Sequence, residues 1–203
     1  MRVIFGMDLK TIQTYNEKAA DYDQETIEFW DTFPKSFLDT FSKLSQGKVL
    51  NVGSGPGRDA LLLKERGLDV TCLDASTAMI KLCQDRGLEA VLADFNDIPF
   101  SEGSFGGVWA YTSFLHTPKT EISKALNETK RVLKDGGIFA LGLIEGDFEG
   151  YRESSGVSLP RWFSFYSQEE VEQLLKEHGF EVLYFETFKP ASRNYLNFIA
   201  RKI

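Results

Sequence analysis

The 203 residues are 42% hydrophobic and 13% aromatic, enough for one domain with a sizeable core. A formal net charge of −7, with Lys and Arg scattered rather than clustered, argues against a nucleic-acid partner, which needs a basic face. No run approaches the roughly 18 apolar residues of a membrane span. Two cysteines and two distant histidines give no metal-ligand spacing, so no metal is expected.

The opening segment, Met1-Arg-Val-Ile-Phe-Gly-Met7, is too short for the apolar core of a signal peptide. A cytoplasmic location is therefore expected, with Met7 an alternative first residue. Residues 8–45 read as helical, with Tyr15, Ala19, Tyr22, Phe29, Trp30, Phe37, Leu38 and Phe41 available to cover a sheet or a ligand. The first strand, 48–52, runs into Gly53-Ser54-Gly55-Pro56-Gly57-Arg58, and a helix is expected over 57–66. Glycines at such a turn let backbone amides approach a ligand closely.

A second strand over 69–73 ends on Asp74, 21 residues after Gly53. A carboxylate at that distance suits a ribose diol, because it accepts from both hydroxyls. Together the turn and the acid point to a small molecule bearing adenosine. A dinucleotide fingerprint would place its third glycine at position 58, where Arg58 stands, so the spacing leans away from NAD. Ser76 caps a helix over 76–85, while Gly67 and Gly87 sit where left-handed helix ends belong. Cys72 on a strand and Cys83 on a helix read as reduced, buried small hydrophobes.

The third strand, 89–93, closes on Asp94-Phe95, a second acid 20 residues beyond Asp74. A fourth strand, 107–111, leads to Phe114-Leu-His116-Thr-Pro. A helix over 120–133 carries the apolar stripe Ile122, Ala125, Leu126, Thr129 and Leu133, with Lys130, Arg131 and Lys134 matching its dipole. After a strand over 137–144, the polar, glycine-bearing stretch 146–158 reads as a mobile substrate loop. Ser167 and Glu170 form a capping box for a helix over 168–178, closed by Gly179; His178 at its end matches the dipole. Strands 181–188 and 194–201 are joined by a turn too short for a crossover, so they must pair antiparallel.

In order and spacing, Val49–Ala60, Val70–Asp74, Leu88–Phe95, Ile98-Pro-Phe100, Gly106–Ser113 and Arg131–Ala140 resemble the class I S-adenosylmethionine-dependent methyltransferases. The likeness is greatest to the small group with a "type 11" methyltransferase domain. It covers residues 10–144 by motif and 160–203 more loosely. The resemblance implies an α/β, Rossmann-like, seven-stranded mixed sheet of order 3-2-1-4-5-7-6, helices on both faces, the last hairpin antiparallel. One domain is expected: a helical lid or cover over 8–45, a cofactor-binding core over 48–144, and a substrate loop with the C-terminal hairpin over 145–203.

The same resemblance implies S-adenosyl-L-methionine as cofactor. Gly53, Ser54 and Gly55 occupy the motif whose backbone meets the methionine and ribose; Asp74 matches the acid for the ribose hydroxyls. Ala75 lies beside the adenine edge, Asp94 accepts from the adenine amino group, and Phe95 offers its backbone N–H to the ring. Ala110 ends the fourth strand, where a carbonyl meets the methionine ammonium. Arg58 is the candidate partner of the methionine carboxylate, with Tyr15 or Tyr22 assisting; a cation at a helix start is disfavoured by the dipole and so hints at an anion. Asn51 departs from the acid common before the first glycine.

The expected chemistry is methyl transfer to an O, N or S nucleophile of a small molecule by a monomer or homodimer. His116, at the C-terminal edge of the sheet, is the catalytic candidate as base, orienter or substrate contact; ordering of its own loop is the plainer role. Tyr111, His116, Arg152, Arg161, Trp162, Phe163 and Tyr166 are expected to line the acceptor site, which suits a partly aromatic or anionic molecule, or else simple loop packing. A non-catalytic S-adenosylmethionine-binding module shares every cofactor residue. A NAD-dependent oxidoreductase shares the first two motifs but leaves Asp94-Phe95 and the hairpin without a purpose.

Overall fold

Strand β4 (Phe105–Tyr111) is buried along its whole length, as a central parallel strand covered on both faces must be. The computed structural model describes residues 8–154 and 157–203. Around β4 lie β1 (Lys48–Val52), β2 (Asp69–Asp74), β3 (Glu89–Leu92) and β5 (Leu133–Ile144), all parallel. Further strands are β6 (Glu149–Ser154), β7 (Val157–Ser164), β8 (Phe180–Phe188) and β9 (Tyr195–Lys202). The seven-stranded sheet runs β3-β2-β1-β4-β5-β9-β8, with β9 antiparallel to both neighbours. This is the expected order, the last two strands numbered higher because β6 and β7 intervene.

Among the described residues the helices are α1 (Leu9–Glu25), α2 (Ile27–Asp31), α3 (Lys35–Leu44), α4 (Arg58–Glu65), α5 (Thr77–Asp85), α6 (Ile122–Val132) and α7 (Gln168–Glu177). On one face Phe37, Phe41, Ala60, Leu63 and Cys83 from α3, α4 and α5 pack on Val49, Cys72 and Trp109. On the other, Ile122, Leu126, Val171 and Leu175 from α6 and α7 pack on Leu50, Val108 and Phe139. Cys72 and Cys83 are buried and free. Ser76 caps α5 and the Ser167–Glu170 capping box opens α7, as their local sequences direct.

The stretch after β5 departs from the expected loop. β6 and β7 form a separate two-stranded antiparallel sheet in which Tyr151 stands opposite Trp162. Its glycines, serines and Pro160 conceal the strand signal, and pairing supplies what local propensity lacks. The Ser155-Gly156 part of that loop, like the Met1–Met7 start, lies outside the described residues.

The hairpin anchors α1. Trp162 donates its backbone N–H to Thr11 Oγ1 at 2.8 Å, and Thr14 Oγ1 donates to the Pro160 carbonyl at 3.0 Å. The far end of α1 is held by Asp23, which takes Arg58 Nε at 2.7 Å and Arg86 Nη2 at 2.6 Å. Between these anchors the helix breaks at Lys18 (φ −116°, ψ 17°).

Candidate active site

The glycine turn after β1 is shaped by contact, and its amides are already committed. Gly53, Gly55 and Gly57 all have positive φ, and a Cβ at Gly53 would lie 2.3 Å from Ser113 Cβ. Gly53 and Ser54 donate their N–H groups to the Leu73 carbonyl at 2.7 and 3.0 Å. Gly55 N–H donates to Asp74 Oδ2 at 2.8 Å. The turn therefore offers a ligand close approach and carbonyls, a correction to its reading as a source of free amides.

Asp74 ends β2 with Oδ2 bound by Gly55 N–H and Oδ1 by Ser76 N–H, each at 2.8 Å, and Ala75 N–H also bonds the carboxylate. Burial pushes its pKa from the usual 3.8 up to about 6, against the pull of those bonds. Beside it is a partly open space of about 50 Å³. Its walls include Gly53, Ser54, Gly55, Arg58, Asp74, Ala75, Phe95, Tyr15, Tyr22 and His116, ten of the expected site residues. Ser113 Oγ, also in this wall, is buried without a protein partner, so the lining holds an orphan polar atom for a ligand to satisfy.

Two expected residues lie elsewhere. Asp94 is buried and accepts from Asn96 N–H and Nδ2 at 2.8 and 2.9 Å, within its own turn. Ala110 sits inside β4 opposite Leu141, and Tyr111, Thr112 and Ser113 line the cavity in its place. Arg58 does line the cavity, and the anion its position hinted at is Asp23 of α1.

His116 stands at the end of a 3₁₀ turn (Phe114–His116) with both ring nitrogens occupied. Nδ1 is 2.6 Å from the Trp162 carbonyl, which can only accept, so Nδ1 carries the proton. Nε2 then accepts from Tyr15 Oη at 2.7 Å, and Tyr15 Oη in turn accepts from Arg161 Nη1 at 2.8 Å. Burial, with the Arg161 charge nearby, lowers the imidazole pKa to about 3. The ring is neutral at any physiological pH.

A second cavity of about 580 Å³ adjoins the first, sharing Tyr15, Tyr22, Trp30, Thr112 and His116 with it. Of the expected acceptor-site residues, His116, Arg161 and Phe163 line it and Tyr111 lines the first cavity; Arg152, Trp162 and Tyr166 line neither. Trp162 is turned to Ser164 Oγ, and Arg152 lies over the rings of Phe148 and Phe165.

Three participants escape a reading by motif. Asp59, buried beneath the first cavity, accepts from Asn51 Nδ2 at 2.7 Å and Trp109 Nε1 at 3.0 Å. The departure at Asn51 was its one visible signal, an amide where an acid is common and an acid eight residues on. Arg193 reaches the second cavity from a turn that read as a mere connector.

Thr112 borders both cavities and, among the described residues, is alone outside glycine in having positive φ (52°). A β-branched residue held there stores about 1–3 kcal/mol, and such strain gathers at functional sites. Thr112→Asn, which tolerates that conformation, should gain roughly 0.5–1 kcal/mol in thermal denaturation. A loss of stability would show that the threonine methyl contributes more than its backbone costs.

A family model described as a methyltransferase domain matches residues 50–141. The chain is 26% identical over 180 residues to the demethylmenaquinone methyltransferase of Thermotoga maritima, covering 73% of this chain and 76% of that one. It is 28% identical over 188 residues to the malonyl-[acyl-carrier protein] O-methyltransferase of Geobacter sulfurreducens, covering 84% and 70%. Among solved structures it resembles the 1,6-didemethyltoxoflavin-N1-methyltransferase of Burkholderia thailandensis, with its substrate and S-adenosylhomocysteine bound. The TM-score is 0.70 at 20% identity, over 94% of this chain and 87% of that one, a likeness that speaks to the fold. Among the described residues no helix is long and apolar enough to cross a membrane.

Proposed function

We propose, for a chain that belongs to the class I S-adenosylmethionine-dependent methyltransferases, methyl transfer to an oxygen, nitrogen or sulfur nucleophile of a small molecule. The observation that carries this reading is the pair of adjoining cavities that share five lining residues. One is bounded by the glycine turn and Asp74; the other, at about 580 Å³, has the size of a small-molecule site. The two characterised relatives named above are methyltransferases, which agrees with this use of the site.

Asp74 would hold the ribose hydroxyls and Ser113 Oγ would bond a polar group of the same cofactor. Arg58 would share its guanidinium between Asp23 and the methionine carboxylate. S-adenosylmethionine, when bound, supplies a methyl group already activated by its sulfonium. The protein's share is then alignment and exclusion of water, which together account for roughly 7–11 kcal/mol of barrier in well-oriented systems. Thr112, Tyr15 and His116 stand at the boundary where alignment is decided.

In this reading His116 positions rather than deprotonates. A general base works best with a pKa near the operating pH, and this ring titrates far below it with Nε2 engaged by Tyr15. At saturating cofactor, turnover should show no inflection near pH 6.5 that His116→Gln abolishes. Such an inflection in a pH–rate profile would restore the histidine as base.

Helix α1 serves as a lid. The space of about 50 Å³ beside Asp74, with Tyr15 and Tyr22 of α1 in its wall, is too small for a nucleoside, so the helix would yield near its break at Lys18. Hydrogen exchange over residues 8–30 should slow on adding S-adenosylhomocysteine; unchanged exchange would reduce α1 to a fixed cover.

The test of the function itself has two arms. Calorimetry should give micromolar binding of S-adenosylhomocysteine, with NAD weaker. Methyl-labelled S-adenosylmethionine incubated with a metabolite panel should label at least one small molecule. Tighter binding of NAD would sink the cofactor assignment, and cofactor binding without any labelling would favour a non-catalytic module.

A further inference from the structure

The second cavity is walled by rings, and its charges cancel. Tyr22, Phe29, Trp30, Phe163 and Tyr195 reach it from four separate elements, α1, α2, β7 and β9. All but Phe163 are only half-buried, unlike Trp109, Phe37 and Phe41 of the core. Helix α2 buries none of its five residues completely, yet it sets two large rings in this wall. Phe29 stands edge-on to Trp30, 5.1 Å between centroids, and 5.2 Å from Tyr195. Among the described residues that line the cavity, Arg161 and Arg193 are matched in number by Glu25 and Glu28, and His116 is neutral. The chain supplies each cation with a partner. Arg161 donates to Tyr15 Oη at 2.8 Å and is acted on by the Glu25 charge, and Arg193 donates to Tyr195 Oη.

We infer that the methyl acceptor is a flat, uncharged aromatic or heteroaromatic molecule, held against Phe29, Trp30 and Tyr195. This deepens the methyltransferase reading above and rests on it. A charged acceptor would leave water for a cleft whose own charges already have partners, so its desolvation would go uncompensated. A neutral ring escapes that cost. It covers the half-exposed ring surface of the wall and extends the edge-to-face contacts that the wall already makes. Flatness follows from the same geometry. A puckered, saturated body of equal carbon count lacks the π face and the polarised edge that those contacts need.

The probes are naphthol, naphthoate, naphthylmethylamine and decalol, one two-ring frame varied in charge and then in saturation. Dissociation constants are measured by ligand-observed NMR at neutral pH on the S-adenosylhomocysteine-loaded protein. Naphthol should bind at least about tenfold tighter than each of the other three. Phe29 lines the second cavity and not the first. Phe29→Leu should therefore remove about three- to tenfold of the naphthol binding, with decalol and S-adenosylhomocysteine affinities unchanged. Tyr195→Phe keeps the ring but takes the partner from Arg193, so naphthoate should tighten by roughly threefold or more while naphthol holds. Melting temperatures check that both variants fold, and the ranking of the four probes on the unaltered protein stands without them. A charged probe or decalol binding as tightly as naphthol, or no binding of any probe, would overturn the inference. So would a loss in Phe29→Leu shared equally by naphthol and decalol, or a naphthoate affinity indifferent to Tyr195→Phe. Failure of S-adenosylhomocysteine to bind would count against the cofactor assignment alone. The ranking is then read on the free protein, where the same order is expected.

Discussion

Asp74→Ala should weaken S-adenosylhomocysteine binding by one to two decades with the fold intact. In the proposed reading its carboxylate accepts from the ribose diol, and bonds to a charged group contribute about 1.5–3 kcal/mol. The same carboxylate makes binding pH-dependent. Because burial raises its pKa to about 6, the ionised form that accepts both hydroxyls dominates above that value. Affinity should be level above about pH 7 and fall by up to roughly tenfold per unit below about pH 6. Asp74→Asn should abolish that slope. Calorimetry at several pH values checks both; an affinity that hardly moves in Asp74→Ala would reduce the residue to a support for Gly55 and Ser76.

Asp59→Ala should be the more damaging change to stability. Its carboxylate is the partner of Asn51 Nδ2, Trp109 Nε1 and Ala60 N–H in a site only 4% exposed. Removing it orphans two buried side-chain donors at about 1–3 kcal/mol each, a loss of roughly 2–6 kcal/mol. The sign of the pH dependence follows from its pKa, raised by burial from 3.8 to about 6. The native state holds this proton more tightly than the unfolded chain. The stability it contributes is therefore complete below about pH 4 and lost as pH rises through 6. Chemical denaturation should show the deficit of Asp59→Ala largest near pH 4 and shrinking by about 2–3 kcal/mol toward pH 8. A deficit that grows with pH would mean that the hydrogen bonds, not desolvation, govern the carboxylate.

The central strands, the glycine turn, Asp74 and the terminal hairpin were legible because each is written locally. An apolar run, a positive-φ turn, an acid at a strand end and a short connector leave their marks in adjacent residues. What stayed hidden depends on partners distant in the chain. Tyr151 and Trp162 pair across a hairpin disguised by Gly and Pro, and Arg58 finds its anion 35 positions away in Asp23. Arg193 and Phe163 meet only in three dimensions. The strain at Thr112 has no sequence signal, since threonine is not a residue chosen for positive φ. Asp94 and Ala110 were named from the family correspondence, and their neighbours Phe95 and Tyr111 form the cavity wall.

The walls common to the two cavities also govern how their occupants influence one another. Tyr15, Tyr22 and Trp30 belong to both, and the first two ride on α1, the helix proposed above as the lid. Whichever ligand arrives first bears the cost of rearranging that partition, and the second meets a surface already in place. Their affinities are then thermodynamically linked, and the factor by which one strengthens the other must be the same in both directions. Acceptors that look weak against the empty protein can therefore be strong against its cofactor-loaded form.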